Sequence, residues 1–400
     1  MIYVAVSAKF DWTFRDYLAN RARGIADRFR VIHYEDFPSR TAFERGTYVL
    51  AGFARMSPPL RRLVADVDGQ LRRAEGMRLL NDPARTMARF ELLEALSREK
   101  RNDFRAVRAG GDLAGLRYPV FLRSETTHDG ALSPLLRTRR EIEAAIGRAL
   151  VRGRRLDDLL VVEFCDTADG DGLYRKYSAF VVGERVLARN LEISRRWVVK
   201  DSVREFTRAT VDEERDFVFG NPHAEPLAEI FRLAGVQYGR IDYAMKDGRV
   251  QTWEINLHPT IGPVPHPTPD QIPPDLRPIC EESRRRFYAG FEEAWKAVDL
   301  DANGRPPVRV SPAGSPVSGE PPVPGAGRRI LRAARRSLSP LRPALEALAA
   351  PVFPLIGRVA RRVRARRRRG GPGGSDEGAD GLVPRGGPAR RGHGGARPPS

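Results

Sequence analysis

Along the first 300 positions apolar residues either alternate with polar ones or recur at three- and four-residue steps, and beyond them both rhythms fade. Alternation and short apolar runs predict strands at 2–6, 30–34 and 47–53, while helical spacing predicts helices at 13–27 and 58–73. Strand and helix taking turns in this way predict a small open α/β unit with a largely parallel sheet over 1–78. Asn81-Asp82-Pro83 then opens a predicted helix through Ser97: Asp82 can cap it, Pro83 suits its first turn, and Phe90, Leu93 and Leu96 form a stripe. Further strands are predicted at 118–123 and 159–163, and a hairpin at 174–190 about Gly183-Glu184. Helices are predicted at 139–152, 222–233 and 281–298, the last with Phe287, Phe291 and Trp295 at four-residue steps against the body.

Residues 239–260 carry acids where an apolar core would not want them. They read as two strands about a turn at Asp247-Gly248, with Ile241 and Tyr243 alternating with Arg240 and Asp242. On the second strand Trp253 and Ile255 alternate with Thr252, Glu254 and Asn256. Register decides whether the polar residues meet. A two-residue type I′ loop would set Asp242 opposite Trp253, on the wrong face from Glu254. A type I turn over Lys246-Asp247 with Gly248 in a G1 bulge pairs Met245 with Arg249, and so sets Asp242 against Thr252 and Arg240 against Glu254. One face then collects Arg240, Asp242, Glu254 and Asn256 at roughly 4.5 to 8 Å. Two carboxylates and an amide oxygen so placed suit Mg²⁺, a hard cation that takes one or two carboxylates and completes its shell with water and phosphate. A solvated hairpin face with an Arg240–Glu254 ion pair would use the same residues.

Asp242, followed about a dozen residues on by Glu254-x-Asn256 and Pro259, resembles the metal-binding end of the ATP-grasp superfamily. That family includes glutathione synthetase, D-alanine:D-alanine ligase and the ligase that adds glutamate to a ribosomal protein. Upstream segments fall in the family's order, so the resemblance spans about 80–262. It implies an N-terminal α/β domain over 1–78 that helps bind the acceptor. Over 79–300 it implies an ATP-grasp domain whose two α+β subdomains clasp ATP. The implied activity is a magnesium- and ATP-dependent carboxylate–amine ligase working through an acyl phosphate, on small-molecule or peptide carboxylates and amines. The resemblance places Asp242, Glu254 and Asn256 on Mg²⁺, as two ions with Mn²⁺ as a substitute. It places Arg123 and Lys176 on the phosphates and Glu163 and Phe164 at the adenine, and makes Arg240 and Asn256 the catalytic pair. Two departures stand out: Arg123 replaces the family's lysine, and 124–133 holds the single glycine Gly130 where the family has a glycine-rich lid. Ser124, Thr126, Thr127 and His128 are candidates to replace some of the lid's contacts, and a polar surface loop would have the same composition. Lys200 joins Lys176 as a candidate phosphate contact. Two other readings remain open: a phosphotransferase or non-ligating ATP-binding module, and a membrane- or nucleic-acid-associated protein with this body as scaffold.

At 400 residues the length suggests two domains and a tail. Cys165 and Cys280 make neither a disulfide framework nor a zinc site, which suggests a reducing cytoplasm. The opening residues read as a strand, with no secretory leader expected. The weakly polar stretch 344–357 is broken by Glu346, Pro351 and Pro354, too short to span a bilayer. Of 69 basic and 51 acidic residues, 20 and 6 fall in 301–400, so the tail carries about +14 and the body about +4. Stretches 301–326 and 370–400 are too poor in apolar residues to offset chain entropy and are expected to be disordered. Between them, 328–369 mixes aliphatics with arginines and is expected to form an amphipathic helix on an anionic membrane, or a phosphate-binding arm on nucleic acid.

Overall fold

Four parallel strands open the molecule, which the computed structural model describes over residues 1–22, 24–200, 203–262, 271–301, 304–311 and 350–369. The elements are β1 (Ile2–Val6), α1 (Trp12–Asn20), β2 (Phe29–His33), β3 (Ala42–Phe43), β4 (Gly46–Leu50), α2 (Pro58–Arg72) and β5 (Met77–Leu80). The sheet order is β2-β1-β4-β5, with every pairing parallel. β4 is buried along its whole length, as a parallel strand covered on both faces must be. The helix expected over 13–27 ends at Asn20, short of Gly24, whose missing side chain disfavours helix. The strand expected over 47–53 stops at Leu50 because Gly52 turns the chain with φ +69. A boundary at 78 would cut β5, whose residues pair with β4 as far as Leu80.

Asn81 ends β5 in the left-handed region, φ 66, with its side chain wholly buried. Its amide donates to the carbonyls of Leu50 and Tyr238 and accepts from the N–H of Gln237 and Tyr238. One side chain therefore stitches the N-terminal sheet to a later one. The helix expected from Asn81 begins instead at Arg89, as α3 (Arg89–Arg98). Asp82 spends its side chain on the Ala84 N–H, Met87 N–H goes to Ala234, and Glu91 reaches back to the Ala88 N–H to start the helix.

Two antiparallel sheets follow. The smaller, in the order β6-β8-β7, comprises β6 (Ala106–Arg108), β7 (Val120–Ser124) and β8 (Leu159–Glu163), with α4 (Arg139–Val151) against it. The larger, β10-β9-β11-β12, comprises β9 (Tyr174–Val182), β10 (Arg185–Ser194), β11 (Tyr238–Lys246) and β12 (Arg249–Asn256). α5 (Arg208–Gly220), α6 (Ala224–Ala234) and α7 (Arg277–Val298) accompany it. One hydrophobic core runs from the N-terminal sheet through the larger sheet to α7, where Phe287, Phe291 and Trp295 are buried at their expected four-residue steps.

The stretch expected to be disordered from 301 contains β13 (Val308–Arg309), which pairs with β3. The edge of β3 offers unpaired backbone groups, and Val310 seals the join by burying its side chain and donating to Thr41. Residues 302–303, 312–349 and 370–400 lie outside the described residues, as do the tail calls that fall on them. Within 328–369 the described helix is α8 (Phe353–Arg369), which packs on α4.

A candidate active-site cleft between the antiparallel sheets

The β11–β12 hairpin turns through Asp247 (φ 49) and Gly248 (φ 72), both left-handed, with Lys246 paired to Arg249. This is the two-residue loop, not the type I turn with a G1 bulge. The ladder is corrected farther along instead. Tyr243 pairs with Thr252 but Asp242 pairs with Glu254, leaving Trp253 as the extra residue of a bulge. Trp253 spends its indole on Phe104, stacked at 4.7 Å, and the inserted residue returns Glu254 to the face of Asp242. The cross-strand pairs are therefore Asp242–Glu254 and Arg240–Asn256, where the sequence reading had Asp242–Thr252 and Arg240–Glu254.

Both carboxylates are buried and both are answered by guanidinium. Asp242 accepts from Arg240 Nε at 2.8 Å and Nη2 at 3.0 Å, and from Ser178 Oγ at 3.0 Å. Glu254 Oε2 accepts from Arg123 Nη2 at 2.8 Å and from Arg89, with His128 Nδ1 at 3.5 Å. Burial alone would raise the Glu254 carboxyl, but the charge of Arg89, a hydrogen bond from His128 and the charge of Arg123 hold it well below the carboxylate range. Burial and the neighbouring Arg89 push Arg123 down to about 10, against the pull of Glu254.

Arg123, His128, Arg240, Asp242 and Glu254 line a cavity of about 550 Å³ between the two antiparallel sheets. That is the size of a small-molecule site, roughly 300–1,000 Å³. Its lining includes the charged Arg123, Lys176, Arg240, Asp242 and Glu254 and the aromatic Phe121, Phe164, Trp197 and Trp253. Trp197 meets Phe121 at 5.2 Å and Phe164 at 5.7 Å between ring centroids. Lys176 on β9 pairs with Glu192 on β10 at 2.7 Å, and Lys200 donates to the Asp129 carbonyl at 2.9 Å. That last bond ties the loop after β10 to the 124–133 loop. Burial would lower the Lys176 ammonium, yet Glu192 and Asp242 hold it raised. Counting the lining residues Arg123, Arg175, Lys176, Lys200 and Arg240 against Glu192, Asp242 and Glu254, the cleft carries a positive surplus, which favours an anionic ligand.

Several expected residues are placed otherwise. Glu163 does not reach the cleft: its wholly buried carboxylate accepts from the backbone N–H and guanidinium of both Arg105 and Arg117. Neighbouring strand residues point to opposite faces, so Phe164 enters the cleft while Glu163 anchors the other side. Asn256 shares the hairpin face, but its Oδ1 accepts the His258 N–H at 2.9 Å and it does not line the cavity. In the 124–133 loop the hydroxyls of Ser124 and Thr126 turn to Asp158 and that of Thr127 to Asp129, so only His128, Gly130 and Ala131 face the cleft. Arg89 was missed. It also donates to the carbonyls of Ser124 at 2.6 Å and Thr127 at 2.8 Å, and its signal was an arginine sharing a helical face with Leu92, Leu93 and Leu96.

The donor set fits a divalent ion in one way. Among the described residues no group of three or more His, Cys, Asp or Glu side chains is spaced to cage a metal. Asp242 and Glu254, paired across the strands, instead offer the one or two hard carboxylates with which Mg²⁺ is held when phosphates complete its shell.

No protein-family model and no curated protein matches the chain. Among solved structures it is similar to the D-alanine–D-alanine ligase of Bacillus anthracis complexed with ATP, at 13% identity over 72% of this chain and 99% of that one, TM-score 0.39. It is similar also to the D-alanine–D-alanine ligase of Coxiella burnetii, at 10% over 74% and 97%, TM-score 0.40. A third likeness is to a RimK domain ATP-grasp protein of Sphaerobacter thermophilus, at 13% over 72% and 98%, TM-score 0.38. These likenesses concern the path of the chain.

Proposed function

We propose that the cleft binds a nucleoside triphosphate with Mg²⁺, and that the chain is an ATP-dependent ligase joining a carboxylate to an amine through an acyl phosphate. The observation that carries this reading is the Asp242–Glu254 pair, which is answered by three guanidinium groups and lines a cavity that also carries aromatic rings. Stacking against Trp197, Phe164 or Phe121 suits a purine, while Lys176, Lys200, Arg123 and Arg240 suit its phosphates.

Asp242 and Glu254 would hold the ion, which supplies charge neutralisation on the transferring phosphoryl group. The substrate carboxylate oxygen attacks the γ-phosphorus, the bond from phosphorus to the β-bridging oxygen breaks, and ADP leaves. The amine nitrogen then attacks the acyl carbon, the carbon–oxygen bond to phosphate breaks with its electron pair, and the ammonium releases a proton to water. Arg240 is placed to balance charge on the acyl phosphate and on the oxyanion that follows. Little base catalysis is required, because a positioned amine attacks an acyl phosphate directly. The N-terminal sheet is assigned to the acceptor, since its Gly52 turn touches the loop that follows β12 and Glu254: Gly52 N–H donates to Leu257 and its Cα faces the His258 side chain. The two free, buried cysteines accord with a reducing cytoplasm.

The test is melting temperature with ATP, with and without Mg²⁺, on the native chain and Asp242→Asn. A ligand that binds only the folded state raises the midpoint by an amount set by affinity. Magnesium should enlarge the ATP shift in the native chain and not in the variant. Identical responses would remove the metal assignment. Turnover then decides the chemistry: ADP and phosphate released only with both a carboxylate and an amine mean ligation, whereas a stable phosphorylated product means phosphotransfer.

A further inference from the structure

α8 has two apolar faces, and among the described residues one of them is covered. On the covered face Phe353 is buried, and the helix lies so close to α4 that a Cβ on Gly147 would collide with the Phe353 carbonyl and one on Gly357 with that of Glu143. Arg358 pairs with Glu143 at 3.3 Å and Arg361 donates to the Gly111 carbonyl at 3.0 Å. The opposite face begins with Val352, one residue before the helix, and runs through Leu355 and Val359; the three are 47%, 58% and 49% exposed. Their steps of three and four residues put them on one line, which exposed Arg362 continues. A helix docked on a soluble body ordinarily turns a polar face to water. This one turns aliphatics, on a helix of eight arginines and no acid.

We propose that this outer face of α8 is a docking surface for an anionic lipid bilayer. Aliphatic residues on one side of a strongly cationic helix are what an interfacial helix needs: the apolar line enters the headgroup boundary and the guanidinium groups meet lipid phosphates. No helix among the described residues is long and apolar enough to cross a membrane, so the contact is peripheral. A nucleic acid fits less well. Its phosphates would satisfy the arginines, but Val352, Leu355 and Val359 would stay in water, and this face has no exposed aromatic ring on which a base could stack. The docked helix would hold the cleft at the membrane surface, whatever reaction the cleft performs.

Full-length protein is sedimented with vesicles of phosphatidylcholine containing phosphatidylglycerol, with phosphatidylcholine vesicles alone, and is titrated with a single-stranded RNA. The same is done for the charge-neutral double variant Leu355→Ser, Val359→Ser, whose sites are exposed, so folding is preserved and an unchanged melting temperature verifies it. The native chain should sediment with the anionic vesicles only, and the variant should partition at least about tenfold less, given the transfer free energy of two aliphatic side chains. Undiminished binding by the variant would assign the attraction to charge alone and overturn the proposal. So would failure of the native chain to sediment with anionic vesicles, or RNA binding tight enough to displace them.

Discussion

Glu254→Gln tests the electrostatic arrangement of the cleft most directly. The side chains of Arg89 and Arg123 are 4% and 9% exposed and meet on one oxygen of Glu254. Glutamine keeps the volume but removes the one negative charge that pairs with these two guanidinium groups among the described residues, leaving like charges facing each other in a buried site. Breaking one side of a buried ion pair costs about 3–5 kcal/mol. At roughly 2–4 °C per kcal/mol for domains of moderate size, the melting temperature should fall by on the order of 10 °C. Arg123→Met in the Glu254→Gln background should restore part of the loss, because it removes one of the stranded charges, and the pair should couple by about 1 kcal/mol or more. Polyanions such as ATP without metal should stabilise Glu254→Gln more than the native chain, since the variant's cleft is more positive by one charge. Differential scanning fluorimetry with a urea melt reads all of this. A midpoint within a degree of the native value, or strict additivity with Arg123→Met, would show that the buried arginines do not depend on Glu254.

Glu163→Gln should cost about 2–3 kcal/mol, the loss of charge-assisted hydrogen bonds to a buried carboxylate, while leaving nucleotide affinity unchanged. An affinity change without a stability change would return that residue to the cleft. Asp68 is 3% exposed, and burial pushes its carboxyl up to about 6 against the hydrogen bond from Arg72. The folded state thus holds the proton more tightly than the unfolded chain, whose carboxyl stays near 3.8. The contribution is fully present below about 4 and is lost as pH rises through about 6, by up to about 3 kcal/mol. Asp68→Asn should flatten the urea-midpoint profile across that interval, and a profile with unchanged slope would exclude it.

What local periodicity can report was legible. Strand residues two apart share a face whatever the chain packs against, so Arg240 and Asp242 belonged together, as did Glu254 and Asn256. Helical spacing likewise placed Phe287, Phe291 and Trp295 on one buried side of α7. Composition, too, separated an ordinary body from a basic tail. Tertiary contacts decided the rest. Asp242 meets Glu254 because the hairpin bulges at Trp253, and it can bulge there because Phe104 receives the indole, a partner some 150 positions away. Which of the adjacent residues Glu163 and Phe164 enters the cleft depends on the side from which Arg105 and Arg117 arrive. Arg89 reaches Glu254 across 165 positions, and Val310 closes onto the edge of β3. In each case a buried charge or an open strand edge is stable only with a partner from elsewhere in the chain, and no local pattern names that partner.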